Sequence, residues 1–273
     1  MADVFRATWV VAYRELLRFI SERSRIFFSM VMPLLFLVIF GAGFNQIIGN
    51  LTPGIDFISF MYPGIIAMTV LMNSVMSGLS MVWDREFGFL KEILVAPLGR
   101  SGIVLGKAIG GATVAVSQGL LLLVLAPVVG VSLNLLLILK LIPILIVISI
   151  SLSGLGILVA SRMRSQQGFQ VVVQLIIFPL IFLSGMFFPV NSVPTWLEIV
   201  SKLNPLTYGV DAIRQLFLEG KLAALGPAIG GNGYPLGVTV FGHTMTILED
   251  VLVVLALGIV LMLLATWSFS KQD

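Results

Sequence analysis

Long apolar runs alternate with short polar segments along this 273-residue chain. A helix needs about 20 predominantly apolar residues to cross a bilayer, and six of the runs are long enough. They lie at residues 26–48, 58–83, 108–131, 136–160, 168–188 and 246–269. The pattern therefore predicts an all-α integral membrane protein with six transmembrane helices.

The N-terminal residues 1–25 follow an amphipathic pattern instead. Between residues 5 and 20, apolar positions recur at the spacing of one helix face, and arginines lie off that face. The apolar positions are Phe5, Trp9, Ala12, Tyr13, Leu16, Leu17 and Ile20. Such a helix lies in the membrane interface with its apolar face toward lipid; the alternative is a helix packed on a soluble core. Because an apolar run begins near Arg25, we favour the interfacial helix.

A long segment at residues 189–245 separates the last two apolar runs, and its pattern predicts two short helices. Asn204 can cap a helix and Pro205 suits the first helical position, and one apolar stripe follows them. Asp211 and Arg214 lie off that stripe, and a shorter helix can precede Asn204. Two partly apolar helices beside the membrane predict a re-entrant helical hairpin packed among the spans.

The distribution of Lys and Arg predicts the side of the membrane on which each segment lies. Twelve of the 16 lie in the N-terminal segment, in residues 84–107, in residues 161–167 and after the last span. The loops on the other side carry three or four. Cytoplasmic loops carry the excess of positive charge. Both termini and residues 84–107 are therefore predicted to be cytoplasmic, and residues 189–245 external, in the plasma (cytoplasmic) membrane.

Composition limits what else the chain can contain. It is 58% hydrophobic and 11% charged, and its mean hydropathy is +1.09. Little polar chain is left for a soluble domain, so residues 1–273 are predicted to form a single transmembrane domain. The net charge of +3 fits basic loops beside a membrane and predicts no nucleic-acid partner. There is no Cys, which excludes disulfides and Cys–metal sites.

Residues 84–107 carry seven charged side chains between two apolar runs. As a helix, residues 85–95 have one apolar face, and Pro97 would end it. Glu86 falls on the apolar side, so we expect it to have a partner, such as a cation from the N-terminal helix. An amphipathic helix joined to two spans suits docking to a soluble motor. A solvated loop whose charges set the topology explains the residues equally well.

The spans lack the groups that membrane catalysis or ion coupling needs. Proton and ion carriers use ionisable side chains in mid-span, whereas Lys140, Glu249 and Asp250 lie near span ends, where they can reach the interface. The single His, His243, lies outside the spans. We therefore expect no catalytic residues, no metal site and no proton relay.

A phosphate-binding loop is also not expected. The stretch LGKAIGG at residues 105–111 lacks two features of such a loop, because Ser101 stands where Gly is needed and Ala108 follows the Lys. Glycines at four-residue spacing there, at positions 102, 106 and 110, predict a helix-packing face instead. Any energy source must belong to another subunit.

The stretch REFGFLKEILVAPLGRSGIVLGK resembles the cytoplasmic segment of the ABC type-two exporter permeases. Six positions match that pattern, whereas Phe89 and Lys91 depart from it without removing the helix. The matching residues are Glu86, Gly88, Leu90, Glu92, Leu94 and Pro97. A second stretch at residues 183–217, LSGMFFPVNSVPTWLEIVSKLNPLTYGVDAIRQLF, is similar to the external segment of the family. Its matching residues are Asn204, Pro205, Leu206, Thr207, Tyr208 and Arg214.

The resemblance implies the permease half of an ATP-driven exporter. Two permease chains, as a homodimer, would pair with two separate ABC ATPase subunits that bind ATP and Mg²⁺, so the chain holds no cofactor of its own. The helix at residues 85–95 would pass the movement of the ATPases to the spans. The residues implied in coupling are Arg85, Glu86, Gly88, Leu90, Glu92 and Pro97. Those implied in an external gate are Asn204, Pro205, Tyr208 and Arg214.

Polar and methionine stripes mark a candidate transport path. Met68, Met72 and Met76 form a flexible apolar stripe in the second span, and Gln166, Gln170 and Gln174 form a polar stripe in the fifth. The candidate lining residues are Met72, Asn73, Met76, Gln170 and Gln174. Helix packing explains the same stripes. A path lined by these side chains suits a hydrophobic, amphipathic or lipid-linked cargo, which the exporter would move out of the cytoplasm or the inner leaflet of the surrounding membrane lipid. The competing function is a non-transporting membrane scaffold or assembly factor.

Overall fold

The computed structural model describes residues 9, 13, 17, 19–21, 23–51, 57–87, 100–129, 131, 133–225, 236–240 and 242–270. The α-helices are α1 (Arg23–Leu51), α2 (Phe57–Met76), α3 (Leu79–Glu86), α4 (Arg100–Leu125), α5 (Leu135–Arg162), α6 (Gln166–Phe182), α7 (Thr195–Leu203), α8 (Pro205–Leu225) and α9 (Ile247–Ser270). Short 3₁₀ turns follow α4 and precede α7. The strands β1 (Thr239–Val240) and β2 (His243–Thr244) form an antiparallel hairpin between α8 and α9.

Four of the described helical runs are long and apolar enough to cross a membrane. They are Phe57–Glu86, which joins α2 and α3, Gly102–Leu125 in α4, Leu135–Arg162 and Ile247–Ser270. Shorter apolar stretches lie at Met30–Gly41 in α1 and at Gln166–Phe182. The protein is thus mostly helical with several candidate spans, as predicted. The exact six-span arrangement stays a prediction.

Helix α4 begins earlier than the apolar pattern predicts, at Arg100 rather than near residue 108. Its first two turns belong to the polar stretch, yet residues 102–104, 106–108 and 110 are buried. Lys107 can be buried within this helix because an acidic side chain of α3 pairs with it. Glycines at positions 102, 106 and 110 lie on this buried side, which confirms the predicted packing face.

Helix α2 forms the centre of the core, where it packs against α1, α4, α5 and α8. Its end approaches α5 closely: a Cβ atom on Gly156 would lie 2.1 Å from the carbonyl oxygen of Val75, and one on Gly78 would lie 2.4 Å from the carbonyl oxygen of Gly156. Helix α4 joins the same contact, because a Cβ on Gly111 would lie 2.1 Å from Cβ of Ser77. Glycines thus let three helices meet where α2 turns into α3.

Helix α9 packs mainly on α5 and begins with a reciprocal cap. The Thr246 N–H donates to Glu249 Oε2 at 2.8 Å, and the Glu249 N–H donates to Thr246 Oγ1 at 3.4 Å. The prediction that both acids of this end can reach the interface is wrong for Asp250, which is 0% exposed, whereas the side chain of Glu249 is 41% exposed. Neighbouring residues of a helix point about 100° apart, so Asp250 points into the bundle.

The segment predicted to be external contains two helices, α7 and α8, as predicted, but α8 has 21 residues and is not short. Asn204 caps α8 as predicted, because its Oδ1 accepts the Leu206 N–H at 2.9 Å. Its Nδ2 donates to the Leu180 carbonyl oxygen at 2.7 Å, which fastens the turn to α6. Helix α8 then packs among α2, α5 and α9.

At the N-terminus, the described positions 9, 13, 17 and 19–21 are helical. Trp9, Tyr13, Leu17 and Ile20 are exposed, whereas Phe19 is buried against the bundle. The predicted apolar stripe therefore faces away from the protein at its described positions, where lipid would contact an interfacial helix. The other residues of that stripe lie outside the described ones.

Candidate functional site

The charged stretch at the end of α3 contacts the ends of two other helices. Arg85 Nη1 donates to the carbonyl oxygen of Met163 at 2.7 Å and to that of Ser161 at 3.3 Å. These carbonyl groups lie at the C-terminal end of α5, which ends at Arg162. A cation there pairs with unsatisfied carbonyl groups and with the negative end of the helix dipole.

Glu86 contacts the beginning of the next helix, α6. Its Oε2 accepts the backbone N–H of Gln166 at 3.1 Å, while the Ser165 hydroxyl caps the same helix by accepting the Gly168 N–H at 3.2 Å. A carboxylate at a helix N-terminus is stabilised by free N–H groups and by the helix dipole. The expected partner is a cation of the N-terminal helix, whose arginine side chains lie outside the described residues; among the described residues, the partner of Glu86 is the N-terminal end of α6.

Asp84 completes this group by pairing with α4. Its Oδ2 lies 2.5 Å from Lys107 Nζ, which also donates to Ser80 Oγ at 3.0 Å. The side chain of Lys107 is 6% exposed and that of Asp84 is 18% exposed. Three consecutive residues, Asp84, Arg85 and Glu86, thus contact α4, α5 and α6. We call these three residues the charged cluster.

Of the six coupling residues predicted from the sequence, two lie in the described part of the chain and four do not. Arg85 and Glu86 lie at the C-terminal end of α3, which continues the second span, rather than at the start of a separate helix. Gly88, Leu90, Glu92 and Pro97 lie outside the described residues, as does most of the predicted helix at residues 85–95. Their role in coupling stays a prediction.

A cavity of about 290 Å³ opens beside the charged cluster. Three of the predicted path residues line it: Asn73 and Met76 of α2, and Gln170 of α6. Met72 and Gln174 do not; both are exposed on the outside of the bundle. The other lining residues are Phe19, Ser77, Leu79, Ser80, Trp83, Lys107, Gly111, Val114 and Gln166.

The lining of this cavity is mixed in chemistry. Among the described residues, aromatic and aliphatic side chains come from the N-terminal helix, α2, α3 and α4, and amides come from α2 and α6. The one cationic group among these lining residues, Lys107, is paired with Asp84. Sequence reasoning missed Lys107 as a lining residue, because it counts among the topology-setting charges and its partner lies 23 positions earlier. The cavity can hold an amphipathic molecule whose polar part meets amides and hydroxyl groups.

The predicted external-gate residues fasten α8 in place. Arg214 is 2% exposed, and its guanidinium group lies 3.9 Å from the ring centre of Phe60. Its Nη2 donates to the carbonyl oxygen of Gly185 at 2.6 Å and its Nε to that of Phe60 at 3.3 Å. Arg214 therefore joins α8 to α2 and to the turn after α6. Sequence reasoning placed it off the apolar stripe and did not predict its burial.

Tyr208 and the cap at Asn204 fix the turn between α7 and α8. The Tyr208 hydroxyl donates to the Lys202 carbonyl oxygen at 2.7 Å. Burial raises the pKa of the Tyr208 phenol, and the negative charge of Asp250 raises it further, so the hydroxyl stays protonated and keeps donating. Pro205 occupies the first helical position of α8, as predicted. Whether this turn acts as a gate stays a prediction.

No group of three or more metal-binding side chains occurs within the part of the chain that the structure describes.

One family model and several known proteins resemble the chain. A family model described as "ABC-2 type transporter" matches residues 6–218. The inner membrane transport permease YadH of Escherichia coli (strain K12) is 27% identical over 273 residues, covering 97% of this chain and 96% of YadH. The protein ycf38 of Cyanophora paradoxa, named as a transport permease, is 33% identical over 194 residues, covering 69% of the chain and 66% of ycf38.

A third relative is described as the probable multidrug ABC transporter permease YbhR of Escherichia coli (strain K12). It is 32% identical over 168 residues, covering 61% of the chain and 46% of YbhR. The chain thus spans just under two thirds of ycf38 and less than half of YbhR, but almost all of YadH.

Proposed function

Because the chain belongs to the ABC-2 type transporter family, we propose that it is the permease subunit of an ATP-driven exporter in the plasma membrane. A separate ABC ATPase, which binds ATP and Mg²⁺, supplies the energy. Both termini and residues 84–107 face the cytoplasm, as the Lys and Arg distribution favours. The observation that carries the proposal is the charged cluster, which joins the polar stretch to three helices beside a cavity.

The contacts of the charged cluster suggest how movement reaches the spans. The residues after Glu86 dock on the ATPase, and a displacement there pulls on α3. Because Asp84, Arg85 and Glu86 each contact a different helix, the same displacement reaches α4, α5 and α6. Two of these helices, α4 and α6, contribute lining residues to the cavity. ATP binding thereby changes the width of the cavity.

The cavity lining favours a hydrophobic, amphipathic or lipid-linked cargo. Phe19, Met76 and Trp83 offer apolar contacts, and Asn73 and Gln170 offer hydrogen bonds. A small inorganic ion would need several charged ligands, whereas the cationic group lining the cavity is already neutralised by Asp84. The description of the relative YbhR as a multidrug permease agrees with a cargo of this class.

A second permease chain covers an exposed face of α6. Val171, Leu175, Phe178 and Phe182 are exposed on this face, and so is the amide of Gln174. Lipid tails can cover the apolar side chains, but they leave the amide without hydrogen-bond partners, which costs free energy. A protein partner, here a second copy of the chain, can cover both. Lipid then surrounds the outside of the homodimer.

The test is a purification of the tagged chain from its native host in mild detergent, followed by reconstitution. We expect an ABC ATPase to copurify, and ATP hydrolysis to rise when amphipathic compounds are added. In Glu86→Ala the ATPase should hydrolyse ATP without this dependence on cargo. Glu219→Ala is the matched control, because Glu219 pairs with Lys140 at an exposed site outside the charged cluster.

The competing function is a non-transporting scaffold or assembly factor. It predicts a stable complex without turnover, and it is favoured if no ATPase copurifies even after crosslinking.

A further inference from the structure

Two aspartates of different helices lie together inside the external half of the protein. Asp211 of α8 is 1% exposed and Asp250 of α9 is 0% exposed. The side-chain amide of Gln215 bridges them, because its Nε2 lies 3.1 Å from Asp211 Oδ2 and 3.0 Å from Asp250 Oδ2. The same nitrogen lies 3.0 Å from the carbonyl oxygen of Met245. We call Asp211 and Asp250 the carboxyl pair.

Each member of the carboxyl pair has one oxygen that no described group satisfies. Asp211 Oδ2 accepts the Val238 N–H at 2.8 Å in addition to the Gln215 amide. The Oδ1 atoms of Asp211 and Asp250 are both fully buried and have no hydrogen-bond donor among the described residues. Both Oδ2 atoms lie within 3.1 Å of the same Gln215 nitrogen, so the two carboxyl groups are close neighbours. An ionised carboxylate is an acceptor only, so a proton must lie between them if they are to bond.

The charges around the carboxyl pair balance one negative charge and not two. The positive charge of Arg214 in α8 favours the ionised form of Asp211. Among the described residues, Arg214 is the cation that faces the pair. On the other side, Glu249 of α9 adds negative charge near Asp250, and His243 of β2 pairs with Glu249 at 3.2 Å. Tyr208 faces Asp250 as a neutral phenol.

Two ionised carboxylates at this depth would repel each other in a medium of low dielectric constant. Burial also raises the pKa of the Asp211 carboxyl, against the opposing effects of the Val238 N–H and of Arg214.

We propose that Asp211 and Asp250 form a proton-binding site, in which one proton is shared between the two buried carboxyl groups and holds α8 against α9. The bond forms when one carboxyl group is protonated and donates to the other carboxylate. The same site fixes the segment before α9, because Val238 and Met245 bond to Asp211 and Gln215. When the proton leaves to solvent, two negative charges face each other and α8 separates from α9. This inference concerns the external hairpin and does not depend on the cargo or on the ATPase.

The first measurement is the infrared spectrum of the purified full-length chain in lipid nanodiscs. A protonated carboxyl group has a carbonyl stretch that is separate from the carboxylate bands. We expect this band at neutral pH in wild type and in Glu249→Gln, and its absence in Asp250→Asn. Glu249 is the matched control, since it is the neighbouring acid on α9 and Gln also serves at that position of the cap. A wild-type spectrum identical to that of Asp250→Asn would overturn the proposal.

The second measurement is hydrogen exchange of the Val238 amide. Its N–H donates to Asp211, so its exchange rate reports whether α8 and α9 are in contact at the carboxyl pair. In Asp250→Asn the amide N–H replaces the shared proton, so the contact no longer needs protonation. The ratio of the wild-type rate to the Asp250→Asn rate cancels the intrinsic pH dependence of exchange. We expect a ratio near 1 at about pH 6 that rises roughly tenfold by about pH 10, as the wild-type pair loses its proton.

A ratio that stays constant over this range would show that no titrating proton holds the contact, even if the variant folds normally. Asp250→Ala, which removes the bond outright, should exchange faster than Asp250→Asn at every pH. Equal rates in the two variants would likewise contradict a hydrogen bond at this position.

Discussion

Glu86 accepts the backbone N–H of Gln166 at 3.1 Å, and this bond joins the end of α3 to the first residue of α6. The two residues are 80 positions apart in the chain. Gln166 also lines the cavity, together with Gln170 one turn further along α6. In the proposed function, a displacement of Glu86 would reach the cavity wall through this hydrogen bond and α6.

A graded series at Glu86 tests this relationship. Glu86→Gln keeps an oxygen that can accept the Gln166 N–H but loses the charge, so folding should weaken by only about 0.3–1 kcal/mol. Glu86→Lys places a positive charge at the positive end of α6 and should weaken coupling further. The measurement compares thermal unfolding with cargo-stimulated ATP hydrolysis in the reconstituted complex. If each variant loses cargo-stimulated ATP hydrolysis only in proportion to its loss of thermal stability, Glu86 does not have a transmitting role.

The Asp84 and Lys107 pair should behave as a buried ion pair. Lys107→Met leaves the Asp84 carboxylate, which is 18% exposed, without its cation. Removing one partner of a fully buried pair costs about 3–5 kcal/mol, and the residual exposure of Asp84 lowers this to roughly 2–3 kcal/mol.

The double variant Asp84→Asn with Lys107→Met removes both charges and should be more stable than Lys107→Met alone. Thermal unfolding of wild type, both single variants and the double variant forms the cycle. Additive losses would show that the two side chains do not interact energetically.

Local signals explain why the helices and caps are predictable from the sequence. Asn204 and Pro205 begin α8 as predicted, since a cap depends on residues that are neighbours in the chain. The contacts that build the candidate site are not local, and Lys107 and Asp84 come together only because α3 and α4 pack side by side. Asp250 is the clearest failure, because proximity to a helix end indicates exposure but the helix rotation decides it.

The two glutamines of α6 should differ in their effect on cargo. Gln170 lines the cavity, whereas Gln174 lies one turn further on and is exposed outside the bundle. Gln170→Leu removes a hydrogen-bonding group from the cavity. The loss of one hydrogen bond of about 1.4 kcal/mol should lower the apparent affinity for amphipathic cargo about tenfold.

Gln174→Leu is the matched substitution, and it should leave cargo affinity unchanged while altering the assembly of two permease chains. Cargo-dependent ATP hydrolysis and crosslinking measure the two effects. An equal change of cargo affinity in both variants would exclude this cavity as the binding site.

The contact between α2 and α5 should tolerate no added atom at Gly156. A Cβ there would lie 2.1 Å from the carbonyl oxygen of Val75, whereas one at Gly43 of α1 meets nothing within 4 Å. Since the added Cβ meets a backbone oxygen, no side-chain rotation relieves the clash, and Gly156→Ala should cost more than about 3 kcal/mol. Gly43→Ala should instead be neutral or stabilise the helix by up to about 1 kcal/mol.

Both substitutions add the same methyl group to a helix, so their difference in thermal unfolding isolates the packing contact from helix propensity. Comparable midpoints for Gly156→Ala and Gly43→Ala would mean that α2 and α5 can separate at low cost. In that case the turn between α2 and α3, which carries the charged cluster on its far side, is not rigidly anchored to α5 at this contact. Transmission from the cluster would then have to run through the Arg85 and Glu86 hydrogen bonds without support from helix packing.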